Sequence, residues 1–254
     1  MNRDLQPELI VPDWPAPAGV VARSSTRLGG VSEGAFASLN TGLHVDDEPV
    51  HVNENRHRLR SLLDDVQMCW VNQVHGSEVV MAEDAVSHVP ADALVTRRTG
   101  LACCISTADC LPVLMTDLKG SVVAAAHGGW RGLAAGVLEN TVAAMATDPG
   151  NCIAWLGPAI GPCHFEVGAE VREAFLAGKG KAAVTRLEAC FRPLAHDNKY
   201  MADLYALARC FLESIGLAHI SAYDGCTYCD AGRFFSYRRE PRTGRMVSLI
   251  YRKD

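Results

Sequence analysis

The stretch LACCISTADCLPVLMTDLKGSVVAAAHGGWRG, Leu101–Gly132, carries three apolar runs in close succession, Leu101–Ser106, Val113–Thr116 and Val122–Ala126. Short continuous apolar runs bounded by turn residues read as strands buried on both faces. No segment of helical period separates these three, so the chain is not a strict strand-helix alternation. The fold class that follows is α/β in the mixed, α+β sense: a single domain of mixed β-sheets covered by helices.

Working outward, further strand-like runs fall at Val20–Arg23, Met68–Val74, Glu78–Met81, Ala93–Thr96, Cys152–Leu156, His219–Ala222 and Arg245–Ile250. Helical spacing places Ala134, Leu138, Val142 and Met145 on one face, and Leu204, Ala208, Phe211 and Ile215 on another. A third helix is predicted over Val50–Leu63. No repeat, low-complexity tract or Gly/Ser linker divides the sequence, which predicts one domain over residues 1–254, with 1–18 an irregular N-terminal segment.

The chain has 254 residues, 48% of them hydrophobic, enough to bury a sizeable core. A net charge of -5 and the lack of any long basic run argue against a nucleic-acid partner held by phosphate contacts. No apolar stretch approaches the roughly 18 residues of a membrane span. The opening MNRDLQPELIVPDWPAPAG has acids and prolines where a signal peptide needs a basic start and an apolar stretch. The expectation is a cytoplasmic protein acting on small substrates, its ten cysteines present as thiols.

Three segments share a pattern in which an apolar strand ends in a turn bearing one good metal ligand: WVNQVHG with His75, LACCISTADC with Cys110, and VVAAAHGGWRG with His127. Two imidazoles and one thiolate converging at a sheet edge suit Zn²⁺ with its fourth position open. The pattern equally suits two hydrogen-bonded strand-end histidines and a small buried cysteine. Asp109, beside Cys110, is placed to orient a ligand or act as general acid/base, and Glu166 is a second carboxylate. The GGWRG turn with Arg131, the Arg23-Ser24-Ser25 run and Tyr237-Arg238-Arg239 offer guanidinium and backbone groups for an anion, or ordinary surface ion pairs. Cys163-His164 reads poorly as a nucleophile-base dyad, because strand neighbours point to opposite faces. Cys226 and Cys229 form a CxxC with no second CxxC to complete a four-cysteine site, and with vicinal Cys103-Cys104 they read as packing thiols.

The runs NQVHG (72–76), TADCLPVL (107–114), AAHGGWRG (125–132), GPAIGPCHFEVG (157–168) and SYRR (236–239) followed by GR (244–245) resemble the YfiH-like, laccase-domain family, described as purine nucleoside phosphorylases. The resemblance runs from about Arg23 to Ile250. Gly128 stands where HAGWRG is the commoner family form, and SLNTGLH, with Asn40 and His44, where GLNLGLH is usual. The resemblance implies a layered α/β/β/α sandwich and makes His75, Cys110 and His127 zinc ligands, with copper entering by misloading. It implies phosphorolysis of adenosine, inosine and methylthioadenosine, deamination of adenosine, and purine nucleoside and phosphate as partners. Catalytic roles then fall to Cys110, His127 and Asp109, and substrate or phosphate binding to Arg23, Ser24, Asn40, Arg131, Tyr237 and Arg238. The H-x-E of zinc nucleobase deaminases is missing after both His75 and His127. A conventional multicopper oxidase is rejected, because nine scattered histidines contain no H-x-H pair. Two alternatives accompany this reading: a thiol hydrolase editing peptidoglycan precursors, with Cys110 as nucleophile and His127 as base, and a purine-sensing binding protein with structural zinc. Monomer and dimer both remain open.

Overall fold

The structure is a computed structural model that describes residues 6–85, 89–195, 198–217 and 219–253. The three central runs are strands β6 (Leu101–Thr107), β7 (Leu111–Asp117) and β8 (Val123–Gly128), every residue of which is buried. Their side chains alternate between two cores: Leu101, Cys103 and Ile105 enter one, Ala102 and Cys104 another. The vicinal cysteines therefore point to opposite faces and both serve packing.

Two sheets stack face to face. One has the order β1 (Leu9–Ile10), β2 (Val20–Ser25), β14 (Met246–Arg252), β6 and β3 (Gln67–Trp70). The other runs β13 (His219–Ala222), β9 (Cys152–Leu156), β7, β8, β5 (Ala93–Thr96) and β4 (Val79–Met81). Between them lie Ala22, Cys103, Ile105, Leu114, Val123, Ala125, Trp155 and Ile250. Helix α1 (Pro49–Ser61) covers the outer face of the first sheet through Leu59, against Ala102, Cys104 and Leu249. The outer face of the second packs on α2 (Trp130–Ala134), α3 (Val137–Ala144), α4 (Ala169–Leu176) and α6 (Leu204–Ser214), with α5 (Lys181–Glu188) beside them. The result is the α/β/β/α sandwich, both sheets mixed in strand direction. Among the described residues, no helix is long and apolar enough to cross a membrane.

Several boundaries differ from expectation for identifiable reasons. The strand expected over Met68–Val74 stops at Trp70. Beyond it the Gln73 side-chain amide bonds both the N–H and the C=O of Ser106, at 2.8 Å each, and so takes the place of a ladder peptide. The helix expected through Ala134 and Met145 is two helices, because Gly136 adopts φ +90 between them. A third sheet, β10 (Glu166–Gly168), β12 (Lys199–Ala202) and β11 (Phe191–Pro193), was not expected at all. Within 6–18, Leu9–Ile10 pairs with β2, so that segment is not wholly irregular. Residues 1–5 lie outside the described residues.

β6 belongs to one sheet and β7 to the other, so the chain changes sheets at Ala108–Cys110. That crossing, the segment after β3 and the end of β8 meet at one open end of the sandwich.

Candidate metal centre and active site

The metal-binding atoms of His75, Cys110 and His127 all lie within 4.8 Å of one another, and Cys110 Sγ is 3.9 Å from His75 Nε2. A tetrahedral zinc with bonds of about 2.3 Å to sulfur and 2.0–2.1 Å to nitrogen has ligand-ligand edges of about 3.4–3.6 Å. The Cys110–His75 separation is within a few tenths of an ångström of that edge and no pair exceeds 4.8 Å, so the donors fit once the trio closes around the ion. The same set suits copper. The two imidazole rings meet edge to face, centroids 4.8 Å apart, and the His75 side is open to solvent while His127 is buried.

The backbone is built around this trio. A Cβ on Gly129 would stand 2.9 Å from His75 Cδ2, 3.4 Å from Cys110 Sγ and 3.5 Å from His127 Cε1, so the glycine leaves the ligands room to converge. His75 itself is left-handed, φ 60. What holds it there is Asp92, whose fully buried carboxylate caps the successive N–H groups of Val74, His75 and Gly76 at 3.2, 3.0 and 2.7 Å. The same carboxylate receives His127 Nδ1 at 2.7 Å, which leaves Nε2 of that ring for a metal or for the thiol. Asp92 thus positions two of the three ligands. Burial pushes its pKa up, but the His127 and backbone hydrogen bonds outweigh this and hold it below 3.8.

When no metal is bound, the surroundings of Cys110 and His127 favour a thiolate-imidazolium pair. Burial alone would raise the Cys110 thiol; the adjacent His127 charge and hydrogen bonds from His127 and His75 bring it down to about 6. Burial likewise lowers His127, but Cys110 and Asp92 raise it to about 9.

The trio opens into a pocket of about 380 Å³ lined by His44, Gln73, His75, Ser106, Thr107, Ala108, Cys110, His127, Tyr237 and Arg245. A second lobe of about 270 Å³ continues past His44, Gln73 and Ser106 to Arg56 and Trp70. The Arg56 guanidinium stacks 3.9 Å over the Trp70 ring, and burial drops its pKa to about 10. Arg245 spends Nη1 on the carbonyls of Thr243 and Gly244, and Asn40 Oδ1 accepts its backbone N–H. Burial, then the charges of Arg245, Arg56, His127 and His75, push His44 below its ordinary value, which favours the neutral ring. Among the described residues, no carboxylate lines either lobe.

Of the residues expected to bind substrate or phosphate, only Tyr237 lines the pocket. Asn40 is buried behind it as a scaffold for Gly42, Asp47 and Arg245. Ser24 is sealed in the sheet against Ser248, Oγ to Oγ 2.8 Å. Arg23 sits opposite Leu249 on β2, and its charge bears on Tyr251 and Lys253. Arg131 is exposed over Trp130, and Arg238 donates to the Glu166 carbonyl over the Phe165 ring. Glu166 pairs with Lys199 on the small sheet.

Asp109 is corrected as well. It is left-handed, φ 88, it does not line the pocket, and its two oxygens accept Thr227 Oγ1 at 2.6 Å, Ser236 Oγ at 2.9 Å and the Arg238 N–H at 2.7 Å. It is a buried tether joining three segments, both its oxygens engaged. Cys163-His164 lies in a turn, not a strand, so the argument from opposite strand faces does not apply to it. Sequence reasoning missed Asp92, whose only signal was an acid set among alanines at the head of β5. It also left His44, Gln73 and Arg245 without roles, although all three fall inside quoted motifs.

Residues 21–253 match the family described as multi-copper polyphenol oxidoreductase laccase. The chain is 50% identical over 246 residues to purine nucleoside phosphorylase YfiH of Escherichia coli, covering 96% of this chain and 98% of the relative. It is 34% identical to purine nucleoside phosphorylase YlmD of Geobacillus stearothermophilus, covering 93% and 92%. Among solved structures, a Neisseria meningitidis protein superposes with TM-score 0.91 at 45% identity, covering 97% of this chain and 99% of that one. A Bacillus licheniformis protein titled YfiH superposes with TM-score 0.87 at 30% identity, covering 99% and 98%.

Proposed function

The chain belongs to the multi-copper polyphenol oxidoreductase laccase family, and we propose that within it the chain is a zinc-dependent purine nucleoside phosphorylase, acting on adenosine, inosine and methylthioadenosine, with adenosine deamination as a secondary reaction. The observation that carries the reading is one pocket holding both three converging candidate metal ligands and a guanidinium, Arg245, whose Nε and Nη2 meet no protein acceptor among the described residues. Phosphorolysis forms a bond from a phosphate oxygen to ribose C1′ and breaks the bond from C1′ to the purine nitrogen, which leaves carrying a proton. Arg245, with Arg56 one lobe away, binds and aligns the phosphate. Tyr237, more than half exposed at the rim, offers a face on which a purine ring stacks. His44 is within reach of both lobes to relay the proton. His75, Cys110 and His127 would hold the zinc, which would supply Lewis acidity in the pocket. Among the described residues lining the pocket there is no Glu or Asp to shuttle a proton in deamination, which favours phosphorolysis as the main activity.

The test is adenosine and inosine turnover by zinc-loaded protein with and without phosphate. Purine base is expected only with phosphate. Arg245→Met should raise KM for phosphate by roughly 10–100-fold, the loss of one or two charge-assisted hydrogen bonds, while KM for nucleoside stays near wild type. Absence of base and of inosine at high enzyme concentration sinks the reading.

One observation favours a second reading. Asp92, His127 and Cys110 are aligned as carboxylate, imidazole and thiolate, the arrangement of a thiol hydrolase. Chelation separates the two: it abolishes the phosphorylase and leaves a thiol hydrolase active.

A further inference from the structure

Outside the pocket, the fold gathers a second set of soft ligands that the sequence keeps far apart. The turn after β9 contributes Cys163 and His164, and the segment after β13 contributes Cys226 and Cys229. All four ligand atoms lie within 4.8 Å of one another. Cys163 Sγ is 3.5 Å from Cys229 Sγ, and Cys229 Sγ is 3.3 Å from His164 Nδ1. A tetrahedral zinc with three sulfurs and one nitrogen has edges of about 3.8 Å between sulfurs and about 3.6 Å between sulfur and nitrogen. The observed distances sit within a few tenths of an ångström of both.

The supporting contacts are those of a ligand site. The Gly161 N–H donates to Cys226 Sγ at 3.1 Å, which favours the thiolate over the thiol. His164 stacks on Tyr228, centroids 4.0 Å apart and planes 16° from parallel, and this fixes the ring with Nδ1 toward the sulfurs. A disulfide is the competing use of these thiols. It would join two of three sulfurs and leave one thiol and the imidazole idle, and 3.5 Å is far outside the roughly 2.05 Å of a sulfur-sulfur bond.

We propose that Cys163, His164, Cys226 and Cys229 form a second metal centre, a closed three-cysteine, one-histidine zinc site that clamps the turn after β9 to the segment after β13. With four protein ligands it has no open position, so its role is structural. The clamp has a specific object. Ile160 N–H donates to the Asp109 carbonyl, and Thr227 Oγ1 donates to the Asp109 carboxylate. Both halves of the clamp thus brace the residue next to Cys110. This inference rests on the second cluster alone and stands whether or not the pocket performs phosphorolysis.

The experiment is metal stoichiometry on the full chain, purified with reductant, loaded with zinc or cobalt and freed of excess ion. Wild type is expected to hold two metals per chain. Cys163→Ser and Cys229→Ser should each hold one, and their cobalt forms should lose most of the sulfur-to-cobalt charge-transfer absorption, because three of the four thiolates are at this site. Cys110→Ala should also hold one metal and keep most of that absorption. Cys163 and Cys229 are both exposed, so neither serine substitution disturbs the buried core. One metal in wild type, unchanged in both serine variants, overturns the proposal. So does a Cys163–Cys229 disulfide in peptide maps of protein prepared with zinc present.

Discussion

Asp92→Asn tests whether the metal centre is set by the carboxylate behind it. Oδ1 accepts His127 Nδ1 and the His75 N–H, and Oδ2 accepts the N–H groups of Gly76 and Val74. Asparagine keeps the shape and replaces one oxygen by NH₂. If the remaining oxygen stays on Gly76 and Val74, the new amide hydrogens face the His75 N–H and His127 Nδ1. His127 then accepts at Nδ1 and carries its proton on Nε2, where no lone pair is left for a metal. Two hydrogen bonds to a charged acceptor disappear, each worth about 1.5–3 kcal/mol, and one neutral bond replaces them at about 1 kcal/mol. The metal-free variant should therefore lose about 2–5 kcal/mol of stability, read by urea unfolding in chelator. Metal affinity at the His-Cys-His centre should fall about 10–100-fold, read by competition with a chelator of known affinity. A variant that is destabilised by this amount but binds metal within twofold of wild type would refute the reasoning, since Asp92 would then hold the loop without governing the His127 tautomer.

In metal-stripped protein, alkylation of Cys110, followed by peptide mapping, should be half-maximal near pH 6, whereas Cys163, pushed up to about 12 by burial and its neighbouring thiols, stays slow up to high pH; a Cys110 midpoint above pH 8 would rule out the ion pair. Stability should report none of this: Cys110 stabilises above its unfolded value of 9.0 and loses that contribution as pH falls through about 6, while His127 stabilises below 6.5 and loses it as pH rises through about 9. Between 6.5 and 9.0 folded and unfolded chains each hold one proton on this pair, so its two slopes cancel, and a steep dependence there that Cys110→Ala removes would contradict the assignment. Gly129→Ala should fold but bind metal at the His-Cys-His centre roughly 10-fold or more weakly, because the new methyl meets His75 at 2.9 Å; full metal retention after dialysis would show that His75 gives way freely.

The layers were legible because burial on both faces writes a strand as an unbroken apolar run. β6, β7 and β8 are such runs, and the sandwich follows once they are placed in two stacked sheets. The small sheet of β10, β11 and β12 was not legible. Its strands are three or four residues long and carry Glu166, Arg192 and Lys199, and β10 joins the sheet only by pairing with residues of β12 more than thirty positions away. The same division runs through the site. His127 ends β8 and Cys110 sits in the crossing between β6 and β7, while His75 lies in the quoted NQVHG run beyond β3, whereas Asp92 reaches His127 across 35 residues and gives no local sign of it. Asp109 was misassigned by adjacency. A neighbour in sequence is a neighbour in a pocket only if its side chain points the same way, and this one bonds Thr227, Ser236 and Arg238.

That misdirection shows how the two clusters are coupled. Asp109 does not line the pocket, but through it the segment 226–238 and the turn after β9 grip the residue that precedes Cys110. Tyr237, on the pocket rim, lies within the same gripped segment. Loosening the second cluster should therefore reach the first without touching any of its ligands: Cys163→Ser should bind metal at the His-Cys-His centre more weakly, by a few-fold and not the 10–100-fold of a lost supporting contact, because three hydrogen bonds to Asp109 remain when the clamp is gone. Chelator competition measures this directly, and Asp109→Asn in the Cys163→Ser background completes the cycle. If the clamp acts through Asp109, the double variant loses less than the product of the two single effects. Independent, multiplicative losses would mean that the second cluster stabilises its own turn and nothing beyond it.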